Sequence, residues 1–304
     1  MKTTTVRMPR PVTGFLPAAM LVIAAASLHA APQAELWPRW EAHDPSSTQT
    51  VDHGEWGAFL DAYLIVGDPS GVNLVPYGEV SEADHRALEA YLDRLQSVEV
   101  SGLNRDEQIA YWINLYNAAT VDLILDNYPV DSIRDLGGGM FSSGPWDDEL
   151  LVVEGVDLTL NDVEHRIIRP IWQDERIHYV VNCASIGCPN LQPVPLTAAN
   201  WDRVFDDAAV QYVTHPRGMR FDGNRLVLSS IYDWYVADFN GDLSGVKAHM
   251  TDYLDDDPAE RLLDHDGRVR YEYDWSPAPH PERCAVHDRR RQQERDGYIC
   301  DVVD

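Results

Sequence analysis

The sequence is poor in lysine and has no long apolar segment beyond its first thirty residues. Lys2 and Lys247 are its two lysines, whereas 50 acidic residues give a formal net charge of −26. A surface this negative repels nucleic acid and anionic lipid, so we expect no nucleic-acid partner. Walker and G-x-S-x-G motifs are also missing, and the glycines at 137–139 lack the strand–helix context of a phosphate-binding loop.

The first thirty residues have the composition of a secretory signal peptide. Three basic residues, the last of them Arg10, precede an uncharged run from Gly14 to Leu28, and small residues follow up to Ala30. This order is typical of an export signal, and the run is shorter than the ~20 residues of a membrane span. We expect a periplasmic or secreted protein with no stable membrane insertion after cleavage. An uncleaved anchor is the alternative.

Cysteine is scarce, and all four cysteines follow the predicted leader. In an oxidising compartment an even number favours disulfides, and Cys183–Cys188 with Cys284–Cys300 would be the locally closed pairing. The sequence does not determine the connectivity, so free thiols at Cys183 and Cys188 are an equal alternative. No motif requires a cofactor, and we expect none.

The order of predicted elements is typical of a single α+β domain, in which several helices pack a small, mostly antiparallel sheet. We place a linker at 31–50, the domain at 51–275 and a charged, proline-containing tail at 276–304. Helices are predicted near 55–66, after Ser81, and near 105–127, 162–169, 198–213, 231–239, 243–254 and 259–263. Strands are predicted at 150–153, 156–158, 177–182, 219–221, 225–228 and 268–273.

Five segments of the domain resemble one family. They are WINLYNA (112–118), LNDVEHRIIR (160–169), IHYVVNCASIGCPNL (177–191), LSSIYDWYVADF (228–239) and YDWS (273–276). In these segments the chain resembles the bacterial and plant family called domain of unknown function 547, over about residues 85–276. The resemblance implies a fold and a set of signature residues but no reaction, and Cys284 and Cys300 lie outside it.

The cysteine-containing segment is where we expect chemistry. A thiol where a strand ends in a tight turn can be exposed beside free backbone N–H groups. Cys183 is therefore the candidate nucleophile, with Asn182 among the groups that would stabilise an oxyanion. Cys188 follows in the same turn, so the two cysteines are also a disulfide or redox candidate.

Three histidines are candidates for the base that would activate Cys183. His165, next to Glu164 on a short helix before the strand, is preferred. His178 shares the strand with Cys183, but alternation along a strand directs the two side chains to opposite faces. His215, farther along the chain, is the remaining candidate.

Each of these polar residues also has a structural interpretation. Glu164 follows Asn161 at the spacing of a capping box, so its expected structural role is to hold a helix N-terminus. Asn114 and Asn117 flank the apolar face of the third helix, where they either line a binding pocket or hold a following loop through its backbone. The histidines, His178 included, fit a hydrogen-bonded core equally.

Three functions follow from these residues. The preferred one is a thiol-dependent hydrolase or acyl transferase acting on an envelope peptide or similar amide. A non-catalytic binding domain stapled by a disulfide is the second. The third is a redox or zinc site, in which Cys183 and Cys188 act with His165 and His178; the C-x4-C spacing is at the loose end of the range for zinc.

Overall fold

The computed structural model describes residues 32–137 and 144–276, which all belong to one compact unit. Its first half contains three helices, α1 (Gly54–Tyr63), α2 (Glu82–Gln96) and α3 (Arg105–Asp126). α1 packs against α2, and α2 packs against α3. All three lie where the helical periodicity predicted them.

Helix α3 is the centre of the core. It begins where the Asn104 side chain accepts a hydrogen bond from Glu107 N, as the sequence spacing predicted. Its side chains are buried on every face along most of its length, which is typical of a helix enclosed by other elements. Polar residues on this helix are therefore placed inside the protein, where each needs a hydrogen-bond partner.

A second helical segment carries several candidate site residues. It consists of a π-helix, Asp162–Ile168, and one further turn, α4 (Arg169–Trp172). Thr159 caps its start, because Thr159 Oγ1 accepts a hydrogen bond from Asp162 N at 3.0 Å. The segment continues past Pro170, where the sequence predicted its end.

The chain at 35–37 completes the hydrogen bonding of this segment. Pro170 has no N–H to donate to the preceding turn. The carbonyl oxygens of His165 and Arg166 accept instead from Glu35 N at 3.0 Å and Trp37 N at 2.9 Å. A stretch within the predicted linker is thus attached to the domain through its backbone.

The same stretch contributes to the hydrophobic core. Trp40 is 3% exposed, and its ring meets that of Trp112 edge-on at 5.2 Å between centroids. Burial of an aromatic ring this size contributes a few kcal/mol to folding. Trp40 therefore anchors the predicted linker to α3, although most residues of 32–50 are exposed.

Helices also form in the second half, as predicted. They are α5 (Trp201–Val213), α6 (Ile231–Trp234), α7 (Leu243–Thr251) and α8 (Asp256–Leu263). α6 is shorter than predicted, because the chain turns after Trp234 instead of continuing to residue 239. Single 3-10 turns lie at Pro38–Glu41, Tyr77–Glu79, Val100–Gly102, Ile133–Asp135 and Glu175–Tyr179.

Two small sheets complete the α+β fold. The hairpin β1 (Leu151–Val153) and β2 (Val156–Leu158) is antiparallel. In the other sheet β3 (Met219–Asp222) pairs antiparallel with β4 (Arg225–Ser229), and β4 pairs parallel with β5 (Val269–Glu272). This last pairing directs the chain after β5 towards the cysteine-containing turn.

The strand predicted at 177–182 was wrong. Glu175–Tyr179 is a 3-10 turn, and the residues after it are irregular. The segment is buried, and among residues 32–137 and 144–276 no strand pairs with it. Asn117 of α3 supplies hydrogen bonds instead, because it donates to Val180 O at 2.8 Å and accepts from Asn182 N at 2.9 Å. In so short an apolar run, periodicity does not distinguish a paired strand from a buried segment without regular structure.

The predicted leader, residues 1–30, lies outside the described residues, as does the tail from residue 277. Within the described part of the chain, no helix has the length and apolar character needed to cross a bilayer.

Candidate functional site

The turn that carries both cysteines is held in place by Asn182. Its side chain donates to Pro189 O at 2.7 Å and accepts from Ala184 N at 2.8 Å. Ala184 has a positive φ of 55°, a strained conformation for a residue with a side chain. Asn182 therefore holds the turn around Cys183, and both its amide nitrogen and its amide oxygen are hydrogen-bonded.

The chain that follows β5 packs directly on this turn. Ile186 N donates to Ser276 O at 2.8 Å, and Gly187 N donates to Asp274 O at 2.7 Å. A side chain at Gly187 would come within 2.8 Å of the Asp274 backbone, so glycine is needed for this close approach. The contact brings Tyr273 over the two sulfurs.

Cys183 and Cys188, the thiol pair, are both free thiols, so the predicted disulfide between them is absent. Tyr273 Oη lies 3.1 Å from each sulfur, and Cys188 Sγ also accepts from Cys183 N at 3.0 Å. Ser185 Oγ lies 3.4 Å from Cys183 Sγ. Cys188 is 3% exposed, whereas Cys183 is partly exposed. Cys183 is therefore the more exposed residue of the pair.

The two thiols differ in acidity. A hydrogen bond with Cys188, followed by burial, raises the pKa of Cys183 well above its ordinary value. Burial also opposes ionisation of Cys188, but hydrogen bonds from Cys183 and Tyr273 outweigh it and lower its pKa to about 7. The pair thus loses one of its two thiol protons near neutral pH. The remaining proton is shared between the two sulfurs.

Five residues form a second buried site, the charged cluster: Glu164, His165, Arg169, His178 and Asp238. Arg169 binds Asp238 through two hydrogen bonds of 2.7 and 3.1 Å. His178 Nε2 lies 2.7 Å from Asp238 Oδ2, and the His178 ring stacks on Tyr235 at 4.0 Å. Hydrogen bonds from His178 and Arg169 outweigh burial and hold the pKa of Asp238 well below its ordinary value.

The position of His165 does not suit a base for Cys183. Arg169 Nη1 lies 2.9 Å from His165 Nδ1, and because arginine only donates, this nitrogen must accept. Burial, followed by the Arg169 charge, lowers the pKa of His165 despite the neighbouring Glu164. The hydrogen bonds of the Cys183 thiol go to Ser185 and Tyr273 rather than to an imidazole.

The other histidine candidates are also engaged elsewhere. His178 bonds Asp238, and its Nδ1 is buried without a hydrogen-bond partner among the described residues. His215 Nε2 lies 2.7 Å from Ser70 O. The zinc alternative needs His165 and His178 to converge with the two sulfurs, and no such group occurs in the described part of the chain.

Glu164 does not cap the helix, contrary to the capping-box prediction. The helical segment already starts at Leu160, so Glu164 lies inside its second turn and is 6% exposed. Its Oε2 accepts from Tyr116 at 3.1 Å. Burial would raise the pKa of Glu164, but the neighbouring charges of His165, His178 and Arg169 lower it, so the carboxylate is ionised at neutral pH.

Tyr235 connects the charged cluster with the thiol pair. Its ring lies under the Arg169 guanidinium at 4.7 Å. Burial, and after it the charge of Glu164, raises the pKa of Tyr235, and Cys183 contributes to the same shift. The hydroxyl is therefore neutral and lies within the electrostatic reach of both sites.

Asn114 and Asn117 hold loops by their backbone, the second of the two roles considered for them. Asn114 donates to Leu196 O at 2.8 Å and accepts from Leu196 N at 3.0 Å. Asn117 makes the equivalent pair of bonds to the segment before Cys183. Both side chains are at most 5% exposed, so they hold these two backbone segments rather than lining an open pocket.

Within the described residues, one group of side chains offers ligand atoms close enough for a metal ion. His85, Glu89 and Asp126 place these atoms within 4.8 Å of one another. However, His85 Nε2 already lies 2.9 Å from Asp122 Oδ1 and 3.7 Å from Asp126 Oδ1. The imidazole nitrogen therefore already has carboxylate partners, so we assign no metal here.

Several residues of the site were not among the candidates. Arg169, Tyr235, Asp238 and Tyr273 all fall in segments that carried the family resemblance. Their roles depend on contacts with residues 60 or more positions away, as between Arg169 and Asp238. Cys284 and Cys300, the other predicted disulfide, lie outside the described residues.

Residues 100–213 match the family model described as "Protein of unknown function, DUF547". The match confirms the resemblance over that stretch, which is less than half of the chain. It includes the thiol pair, Glu164 and His178, whereas Asp238 and Tyr273 lie beyond it. No curated protein and no solved structure matches the chain.

Proposed function

We propose that the thiol pair is a dithiol centre that exchanges disulfides with a protein or peptide of the cell envelope. The observation that carries this proposal is the shared hydroxyl of Tyr273, 3.1 Å from each sulfur, beside a Cys188 thiol with a pKa of about 7. A thiolate is thereby available at neutral pH, and thiolates are the reactive form in disulfide exchange. Export, as expected from the leader, would take the protein to a compartment where disulfides form.

The reaction begins with proton transfer between the two sulfurs. Cys188 thiolate takes the proton of Cys183, and Cys183 thiolate attacks one sulfur of the substrate disulfide. A mixed disulfide forms at Cys183 and the first substrate thiolate leaves, taking up the proton. Cys188 thiolate then attacks Cys183 Sγ, which releases the second substrate thiolate and closes the Cys183–Cys188 disulfide. The substrate gains the two electrons that the pair loses.

Cys188 would fill two roles in this reaction. It replaces the histidine base, because it accepts the Cys183 proton directly. It also resolves the mixed disulfide, since it lies five positions away in the same turn. The alternative of a disulfide-stapled binding domain has no support in the two free thiols.

A thiol-dependent hydrolase or acyl transferase is the second candidate. It is favoured by the strained backbone at Ala184, with φ of 55°, directly after Cys183. Cys183 would attack a carbonyl carbon, form a thioester as the amine or alkoxide leaves, and give up the acyl group to water or an acceptor. Cys188 rather than His165 would take the thiol proton.

Trapping of intermediates distinguishes these functions. The reduced full-length protein is mixed with a peptide that contains one intramolecular disulfide, and products are read by mass spectrometry. We expect Cys188→Ser to accumulate a mixed disulfide at Cys183, and Cys183→Ser to form none. The double variant Cys284→Ser/Cys300→Ser is the matched control and should react like the unmodified chain.

Other outcomes would overturn dithiol exchange. Equal turnover by Cys188→Ser would show that no resolving thiol is needed. An acylated Cys183 after incubation with an activated ester, without any exchange of the peptide disulfide, would support the hydrolase instead. An inert thiol pair in both assays would leave the binding domain.

A further inference from the structure

Four partly exposed aromatic side chains form a surface next to the thiol pair. This aromatic shelf consists of Trp146, Trp234, Tyr273 and Trp275. Ring centroids are 4.8 Å apart for Trp234–Tyr273, 4.6 Å for Tyr273–Trp275 and 5.8 Å for Trp146–Trp275. Because Tyr273 also bonds both sulfurs, the shelf is continuous with the reactive centre. Contiguous apolar surface that is partly open to solvent beside a reactive centre is a candidate binding site.

The shelf already holds one cation of the chain itself. The Arg134 guanidinium lies 5.1 Å from the centroid of Trp275. Its loop is fixed nearby, because Ser132 Oγ donates to Trp275 O at 3.1 Å. The face of an indole attracts cations electrostatically, and tryptophan does so best among the aromatic side chains. Trp146 and Trp234 offer further rings of the same type.

Carboxylates accompany the rings along the chain. Asp147 follows Trp146, Asp233 precedes Trp234, and Asp274 lies between Tyr273 and Trp275; all three aspartates are exposed. Asp147 accepts a hydrogen bond from Asn161, and Asp274 accepts one from Ser276 N. Within the described part of the chain, none of the three has an arginine, lysine or histidine partner in an ion pair. Aromatic faces and uncompensated carboxylates together attract a positive group.

We propose that the aromatic shelf binds a basic segment of a polypeptide and thereby selects disulfides that lie next to lysine or arginine. The selection of disulfides rests on the proposed function, whereas the binding of the basic segment does not. A lysine or arginine side chain would stack on Trp234 or Trp146 while its charge meets Asp233, Asp147 or Asp274. An acidic segment would meet the net charge of −26 and be repelled.

Binding is tested first in a full-length Cys183→Ser/Cys188→Ser protein, which cannot exchange disulfides. The probe is a fluorescein-labelled peptide, acetyl-Gly-Arg-Gly-Lys-Gly-amide, followed by anisotropy at low salt. We expect Asp233→Asn/Asp274→Asn to weaken binding at least about fivefold, with a further loss as salt is raised. Asp93→Asn, an exposed aspartate on α2, is the matched control and should bind as before.

A ring variant extends the test. Trp275→Ala should weaken binding of the same peptide severalfold, whereas Trp172→Ala, which removes a ring under Arg105, should not. If Trp275→Ala fails to fold, the binding measured for the aspartate variants decides the test by itself. Equal binding of a peptide with Glu in place of Arg and Lys would overturn the proposal. So would binding of an uncharged oligosaccharide that depends on the tryptophans but not on the aspartates.

Disulfide selection is tested with the reduced, otherwise unchanged protein. Two disulfide peptides that differ only in Lys or Glu beside the cysteine are compared, and the Lys peptide should react at least about tenfold faster. If neither peptide reacts but the labelled basic peptide binds, dithiol exchange is contradicted, whereas binding of basic segments to the aromatic shelf is supported. If both peptides react at the same rate and the basic peptide does not bind, the binding role of the aromatic shelf is contradicted, whereas dithiol exchange is supported.

Discussion

The charged cluster and the thiol pair are neighbouring buried polar sites, but their atoms are paired to different degrees. In the cluster, Arg169 is bonded to Asp238, His165 and Pro32 O, so one cation serves three acceptors. In the thiol pair, two sulfurs compete for one hydroxyl and share one proton. Tyr235 packs on Arg169 and His178 in the cluster, and Cys183 contributes to the rise of its pKa.

This difference assigns different roles to the two sites. Charges that are buried and fully paired hold a structure in place, because any change leaves an uncompensated charge. A pair of thiols with one acidic proton is poised to react, because its ionisation occurs near neutral pH. The sequence pattern placed His165 and Cys183 in one reaction, whereas the contacts place them in two sites.

The largest effect is expected from removing the cation of the charged cluster. Arg169→Met should lower the free energy of unfolding by about 3–5 kcal/mol, because Asp238 loses its buried ion-pair partner and Glu164 loses a neighbouring positive charge. Urea unfolding measures this. Arg203→Met is the matched control, since its exposed pair with Asp207 is expected to contribute less than about 1 kcal/mol. A loss for Arg169→Met as small as the control would contradict a structural role for the cluster.

The scaffold of the thiol pair should also depend on a buried amide. Asn117→Ala should cost about 2–3 kcal/mol, because Val180 O and Asn182 N both lose a buried partner. Asn127→Ala, at the exposed end of the same helix, should change stability by less than about 0.5 kcal/mol. Faster alkylation of Cys183 in Asn117→Ala is a second expected readout. Unchanged stability and thiol reactivity would show that the turn is held by other contacts.

The acidity of the thiol pair can be followed by its rate of alkylation with iodoacetamide. Because the folded pKa of Cys188 lies at about 7, below its ordinary value of 9.0, the thiolate should appear as pH rises through 7. Because the two sulfurs share the remaining proton, reaction at Cys183, the more exposed residue of the pair, should rise with a midpoint near pH 7. Unfolding in urea should move the midpoint towards 9. A midpoint near 9 in the folded protein would remove the basis of the dithiol proposal.

The smallest change concerns a single hydroxyl group. Tyr273→Phe removes the hydroxyl that contacts both sulfurs and donates to Cys188 Sγ, so the midpoint for alkylation should move up from about 7. Stability should fall by only about 1 kcal/mol, the contribution of a typical hydrogen bond. Tyr271→Phe, two residues earlier on β5, should leave the midpoint unchanged. Equal midpoints for both variants would exclude Tyr273 from thiol activation.

The long amphipathic elements were predictable, because their periodicity and caps are local. Ser81 and Asn104 begin α2 and α3 as their sequence context indicates, and each side chain accepts from the expected backbone N–H. The hairpins at 151–158 and 219–229 also follow from local turn signals. Residues 177–182 were misread, because Asn117, 60 positions or more away, provides the hydrogen bonds that a neighbouring strand would supply.

The candidate site was predictable in its residues but not in its pairing. Cys183, Cys188, Glu164, His165 and His178 all lie in or beside the two buried sites. Their partners, Tyr273 and Asp238, are 60 or more positions away in the sequence and decide which of these residues meet. Sequence spacing carries no information on such contacts, because the chain between them can fold in many ways.

The sequence by itself determined a strongly acidic α+β domain with two cysteines in one tight turn. Composition sets the net charge directly. Periodicity predicts the helices, because it depends on residues only a few positions apart. Only the tertiary structure decided that Cys183 faces a tyrosine and a second thiol instead of a histidine. That outcome depends on β5 pairing parallel to β4, which carries Tyr273 across to the turn, where its hydroxyl lies between the two sulfurs.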